Sequence, residues 1–90
     1  MNATQRYVQE IESRYRTKNG KEIADLLGVA EMSVSRYRNQ QKGFADDVAI
    51  KAAQLLNIDP KKIVAELQEE RATTPETKAL WREFMRLTSV

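Results

Sequence analysis

The groups in this sequence that could do chemistry are cations and carboxylates, because the chain holds neither histidine nor cysteine. That removes the commonest general base, the commonest metal ligand and any thiolate nucleophile. The serines and lysines form no recognisable nucleophile pair, so the sequence reads as a protein that is not an enzyme, with no cofactor, no metal and no small-molecule substrate. Asp46, Asp47 and Asp59 could be imagined as a metal or nuclease cluster, but each stands just before a helical run, where a carboxylate caps exposed backbone amides. The cations say more. Arg14, Arg16, Lys18, Lys21, Arg36, Arg38 and Lys42 fall between positions 14 and 42, against three acids there. Residues 1–43 carry a balance of +3 and residues 44–90 one of −1. A locally basic half suits a polyanionic partner, although solvated charges alone also produce such a pattern.

The elements that must position these groups are short helices. Ninety residues at 10.4 kDa fit one small domain, and a chain of this size buries only about 60–65% of its unfolded surface. The apolar fraction of 41%, with three Gly and two Pro, excludes collagen-like and disordered classes. No apolar run reaches membrane-spanning length and no charged-then-apolar signal segment opens the chain, so no membrane partner is expected. The absence of cysteine suits a reduced compartment, the cytoplasm. No stretch alternates for long between apolar and polar residues, which leaves an all-α reading with five or six helices.

The first helix is predicted over about 3–16, with Tyr7, Val8, Ile11 and Tyr15 inward, and Gly20 breaking the pattern. Asn19 and Glu22 read as a capping box opening a second helix, whose Ile23, Ala24 and Leu27 face inward and which ends at Gly28. A third helix runs from Ala30 or Glu31 to about Asn39, followed by a polar loop over 40–43 with Phe44 tucked beneath it. Asp46 or Asp47 is expected to cap a fourth helix, whose inward Ala49, Ala52, Ala53 and Leu56 allow close approach of a neighbour. Asp59–Pro60 opens a fifth helix through Ile63, Val64 and Leu67, residues 69–74 form a link, and Thr74–Pro75–Glu76 opens a last helix over about 75–87.

The most specific signal is the joint spacing Ala24–x3–Gly28–x5–Val34–x2–Tyr37. Ala24 must be small where the next helix crosses it, Gly28 supplies the turn, Val29 fills the turn's apolar side, and Val34 and Tyr37 anchor the following helix. That is the pattern of a helix-turn-helix. With the run from Val48 to Pro60 in the usual place, residues 4–68 resemble the Cro/C1-type (lambda-repressor-like) helix-turn-helix family. The whole chain looks more loosely like small phage-associated regulators with an extra C-terminal helix.

The resemblance implies a DNA-binding domain over residues 1–70, its motif about 20–39, that binds operator double-stranded DNA as a homodimer and regulates transcription, as a repressor in the usual case. It puts base reading on Ala30, Glu31, Met32, Ser35 and Arg36. Arg36 can offer a bidentate fork to guanine, Glu31 can accept from cytosine, Met32 or Ala30 can touch a thymine methyl, and Ser35 can reach base or phosphate. Glu31 is equally explained as a first-turn acid favouring the helix dipole. Phosphate contacts fall to the start of the second helix, at Gly20 with Lys21 or Lys18, and to Asn39, Gln41 and Lys42 after the third. Gly20 departs from the polar side chain usual in the family. Asn39 also reads as a helix C-cap, Arg38 is expected to face a phosphate or water, and Tyr37 matches the family's buried aromatic rather than a base-stacking residue.

In the segment 71–90, Leu80, Trp81, Phe84, Met85 and Leu87 form an apolar arc of roughly 160° at 100° per residue. Such an arc either folds back onto Ile50 and Leu55 or pairs with the same helix of a second copy, or does both. Glu76 and Glu83 on its polar face argue against a membrane surface. An alternative to the DNA reading follows from this arc: a protein-interaction module, antitoxin-like or an assembly adaptor, that docks through the last helix.

Overall fold

Asn2 starts the first helix, α1 (Ala3–Tyr15), by accepting from the Gln5 amide at 2.8 Å. Its Ala3, Thr4, Tyr7, Val8 and Ile11 then fall on one buried stripe at helical spacing. The helix ends when Arg16 turns into the left-handed region at φ 53°, and the Thr17 amide closes back onto the Glu12 carbonyl at 3.1 Å. The stop lies at Arg16, where the first helix was expected to end, and Gly20 follows the Asn19 cap as the first residue of α2 (Gly20–Leu27). Tyr15, expected inward, is 40% exposed because the stripe has rotated away from the core by the last turn; its hydroxyl donates to the Leu55 carbonyl at 3.0 Å.

Asn19 caps α2 as expected, its Oδ1 accepting from the amides of Lys21 and Glu22 at 2.9 and 3.1 Å. The reciprocal half of the box is not made by Glu22: the Asn19 amide donates to Thr17 Oγ1 at 3.1 Å. Gly28 sits at φ 71°, where a side chain would be strained. The Val29 amide reaches the Ala24 carbonyl at 3.0 Å and the Gly28 amide the Asp25 carbonyl at 3.3 Å, the two bonds of a Schellman turn. This turn aims the chain into α3 (Glu31–Arg38), which buries Val34 and Tyr37.

The loop after α3 is fastened from beneath. Phe44 is buried edge-on to Tyr37, with ring centroids 5.0 Å apart, and its amide donates to the buried Thr4 hydroxyl at 3.1 Å. Its carbonyl accepts from Arg71. α4 (Asp46–Leu56) follows with Ala45 in the N-cap position and no side-chain cap, which corrects the expectation for Asp46 and Asp47. Both lie in the first turn of the helix, directly after the cap, where their charge still favours the helix dipole, and Asp47 Oδ1 accepts from the Val48 amide at 3.0 Å. Ala49, Ala52 and Ala53 are fully buried, and the small face brings α4 close to α1, α2 and α5.

Asp59 caps α5 (Pro60–Arg71) through the Lys61 amide at 2.9 Å, with Pro60 at the first helical position. α5 runs further than expected, so the link to α6 (Pro75–Thr88) shrinks to residues 72–74. Thr74 Oγ1 accepts from the Thr77 amide at 3.2 Å and so caps α6. This computed structural model describes residues 1–88, so 89 and 90 of the expected C-terminal segment lie outside the described residues. Within residues 1–88 the protein is all-α, with six helices and no strand. Five helices enclose one core built around Tyr7, Ile11, Ile23, Val34, Tyr37, Phe44 and Ile63. α6 packs along α5 and, among the described residues, approaches no other helix backbone. The long axis of 38 Å, against 27 and 20 Å, matches a core with one appended helix.

Candidate nucleic-acid interface

With Val34 and Tyr37 buried, helical geometry decides what α3 shows to solvent. Met32 and Arg36 lie about 160° and 200° from Val34 around the axis, on the opposite face. Glu31, Met32, Ser35 and Arg36 are all exposed, as is Ala30 in the turn before the helix. Met32 is 65% exposed, and the Arg36 Nη2 rests 3.4 Å from its sulfur, one turn away. A soft thioether is a weak acceptor, so this contact orients the guanidinium without consuming it. Side chains from both ends of α3 reach the start of α2: a Cβ built on Gly20 would meet Glu31 Cγ at 3.7 Å and Arg38 Nη1 at 3.5 Å.

Lys18, Lys21 and Lys42 are exposed, and no ion pair among the described residues involves them or Arg36. Asn39 and Gln41 are exposed beside the end of α3. Asn39 is the C-cap, its amide reaching the Ser35 carbonyl at 3.0 Å. The left-handed residue is the next one, Gln40 at φ 58°, and the Gln41 amide closes onto the Arg36 carbonyl at 2.9 Å. Gly20 is half-buried and contributes backbone at the helix start.

Arg38 differs from the other cations. Its Nε and Nη2 both donate to Glu12 Oε2, at 3.1 and 2.7 Å, and Nη2 also donates to the Lys18 carbonyl at 2.8 Å. It was expected to face a phosphate or water; it faces α1. Sequence reasoning missed Glu12 and Gln5, whose Nε2 donates to the Arg38 carbonyl at 2.7 Å. Neither is signalled by spacing, since both meet Arg38 only through the packing of α1 on α3.

A second cluster of charge lies between α1 and α5. The Tyr7 hydroxyl donates to Glu66 Oε1 at 2.7 Å, and Arg6 pairs with the other carboxylate oxygen while its guanidinium lies over the Tyr7 ring. Burial, then the bond to Glu66, pushes the Tyr7 hydroxyl well above the usual tyrosine range. Burial also raises Tyr37, with the Asp47 charge adding to it. Among the described residues no group of three or more acids could hold a metal ion. Asp59 caps α5, and Asp46 lies 3.9 Å from Arg71.

On α6 the expected arc divides. Trp81 and Phe84, edge-on at 5.8 Å, join Ile50, Pro60, Lys61 and Val64 around an open apolar groove of about 330 Å³. Met85 is half-buried, whereas Leu80 and Leu87 are 64% and 67% exposed. Ile50 of α4 thus stands at the same groove as Trp81 and Phe84 while α6 packs on α5 alone among the described helices, and two leucines of the arc stay in solvent. No described helix is long and apolar enough to cross a membrane. Compared with family models, curated proteins and solved structures, the chain matches none.

Proposed function

We propose that this chain is a sequence-specific double-stranded DNA-binding protein, a transcriptional regulator of the Cro/C1 type that acts as a repressor, of phage or prophage character. The observation that carries the reading is the division of α3. Val34 and Tyr37 fix the helix to the core, while Met32 and Arg36 project from its far side, with Ser35 and Glu31 exposed along the flank that leads to α2. These are groups that read base edges in a major groove, and Arg36 facing a guanine is worth about 1–3 kcal/mol of discrimination. Lys18 and Lys21 at the start of α2, and Asn39, Gln41 and Lys42 after α3, flank that face with donors suited to phosphates. Binding as a two-fold dimer sets two α3 helices in successive major grooves, about 34 Å apart. In this reading the chain works in the cytoplasm, with Leu80 and Leu87 at the contact between copies.

Selection from a random duplex library at two salt concentrations tests this directly. Enrichment of a two-fold symmetric sequence, with affinity falling steeply as salt rises, is the expected result. Recovery of no preferred sequence would overturn the reading.

The exposed leucines of α6 favour a second reading, in which the same fold is a protein-interaction module docking through its last helix. Removal of residues 75–90 separates the two. Loss of a protein partner with duplex binding intact supports the module, and loss of cooperative duplex binding supports the dimeric regulator.

A further inference from the structure

We infer that Arg38 is a positioning residue that sets the phosphate-facing segment 16–21, the α1–α2 connection with the first residues of α2, against the reading helix, and that it is not itself a phosphate ligand. This rests on the DNA-binding reading above and adds a role that the position of a basic residue at the end of a recognition helix would not suggest. Three segments meet at one guanidinium. Arg38 closes α3, Glu12 lies in the third turn of α1, and the Lys18 carbonyl belongs to the connection between α1 and α2. The Arg38 carbonyl is held in turn by Gln5, so side chain and backbone of one residue both tie the end of α3 to α1.

The geometry opposes a phosphate at this guanidinium. The Arg38 side chain is 33% exposed, and that of Glu12 only 14%. Pulling Arg38 outward would break three hydrogen bonds and leave a largely buried carboxylate without its cation, a costly state. The pair also cancels its own charge, so it displaces few counterions from DNA. Lys18 shows the complementary arrangement: its carbonyl is pinned by Arg38 while its ammonium is exposed. Asn19, next in the chain, caps α2, and Gly20 lies close under the guanidinium. Arg38 thereby fixes where Lys18, the Gly20 amide and Lys21 sit relative to Arg36, the spacing a duplex backbone would demand.

The test compares Arg38→Gln and Glu12→Ala with the wild-type chain on its selected duplex across a salt series. Both side chains lie outside the hydrophobic core, and far-ultraviolet circular dichroism checks that each variant keeps its helices before binding is compared. A positioning role predicts that each variant binds roughly tenfold more weakly at every salt concentration. Arg38→Gln then leaves the slope of log affinity against log salt unchanged. A phosphate ligand predicts the opposite pattern: Arg38→Gln flattens the slope by about 0.9 for each copy bound, and Glu12→Ala, by freeing the cation, binds as tightly as wild type or tighter. That pattern would overturn the inference.

A DNA-free arm keeps the two claims separable. Amide hydrogen exchange at residues 18–22 should accelerate in both variants, because the loop loses its anchor. Unchanged exchange in both would overturn the positioning role even if DNA binding holds. A wild-type chain that binds no duplex, with exchange accelerated in the variants, would overturn the DNA-binding reading while leaving the anchor established.

Discussion

Helices α3 and α6 both present much of their surface to solvent, and they do so for opposite physical reasons. α3 has eight residues, buries Val34 and Tyr37 against α1 and the loop before α4, and shows a thioether, a hydroxyl, a carboxylate and a guanidinium outward. α6 has fourteen residues, packs on α5 alone among the described helices, and shows Leu80 and Leu87 outward. Hydrogen-bonding groups in water lose little, so apart from Met32 the outer face of α3 is stable as it stands and available to a polar partner. Exposed leucines forgo about 25 cal/mol for each square ångström left wet, so the outer face of α6 gains by meeting an apolar one. The contrast teaches that exposure alone does not mark a site; the chemistry of what is exposed tells which kind of partner it fits.

The largest effect should come from the anchor of α3. Tyr37→Ala removes the ring that packs against Phe44 and should cost about 3–5 kcal/mol, read by denaturant unfolding. Met32→Ala, on the same helix but the other face, should stay within about 0.5 kcal/mol. Equal losses from the two would erase the distinction between anchor and reading face. On α6, at the dimer contact proposed above, Leu80→Glu should leave monomer stability nearly unchanged while weakening pairing of copies by about tenfold, measured by sedimentation equilibrium over a range of concentrations. A variant that instead unfolds would make Leu80 part of the core and collapse the contrast between the helices.

A smaller effect is expected at the join of α1 and α5. Tyr7→Phe removes the hydrogen bond to Glu66 and should cost about 1–2 kcal/mol at neutral pH. Because Tyr7 titrates above its ordinary value near 10, its contribution is complete below that pH and declines as pH rises toward the folded-state value. The stability gap between wild type and Tyr7→Phe should therefore narrow above about pH 10. A gap that widens there would mean that the Tyr7 environment favours the phenolate.

Much of the scaffold was legible because it is written in local patterns. Asn19, Gly28, Asp59–Pro60 and Thr74–Pro75 mark helix ends through bonds that span only a few residues, and all four act there. The spacing of Ala24, Val34 and Tyr37 likewise placed each of them in the core. What escaped depends on groups distant in sequence. Asp46 and Asp47 resemble caps, but the fastening of Phe44 to Thr4 and Arg71 sets the entry to α4 one residue earlier. Arg38 resembled every other cation of the basic half until the packing of α1 delivered Glu12 to it.

The central claim is that the outer face of α3 reads the edges of base pairs, and Arg36 carries most of that claim. Affinity of wild type and Arg36→Ala should be measured on the selected duplex and on duplexes carrying every substitution at each position of one half-site. The account predicts that the variant loses about 1–3 kcal/mol of discrimination at a single guanine-containing pair, with preferences elsewhere preserved. Full affinity and unaltered selectivity in the variant would contradict it.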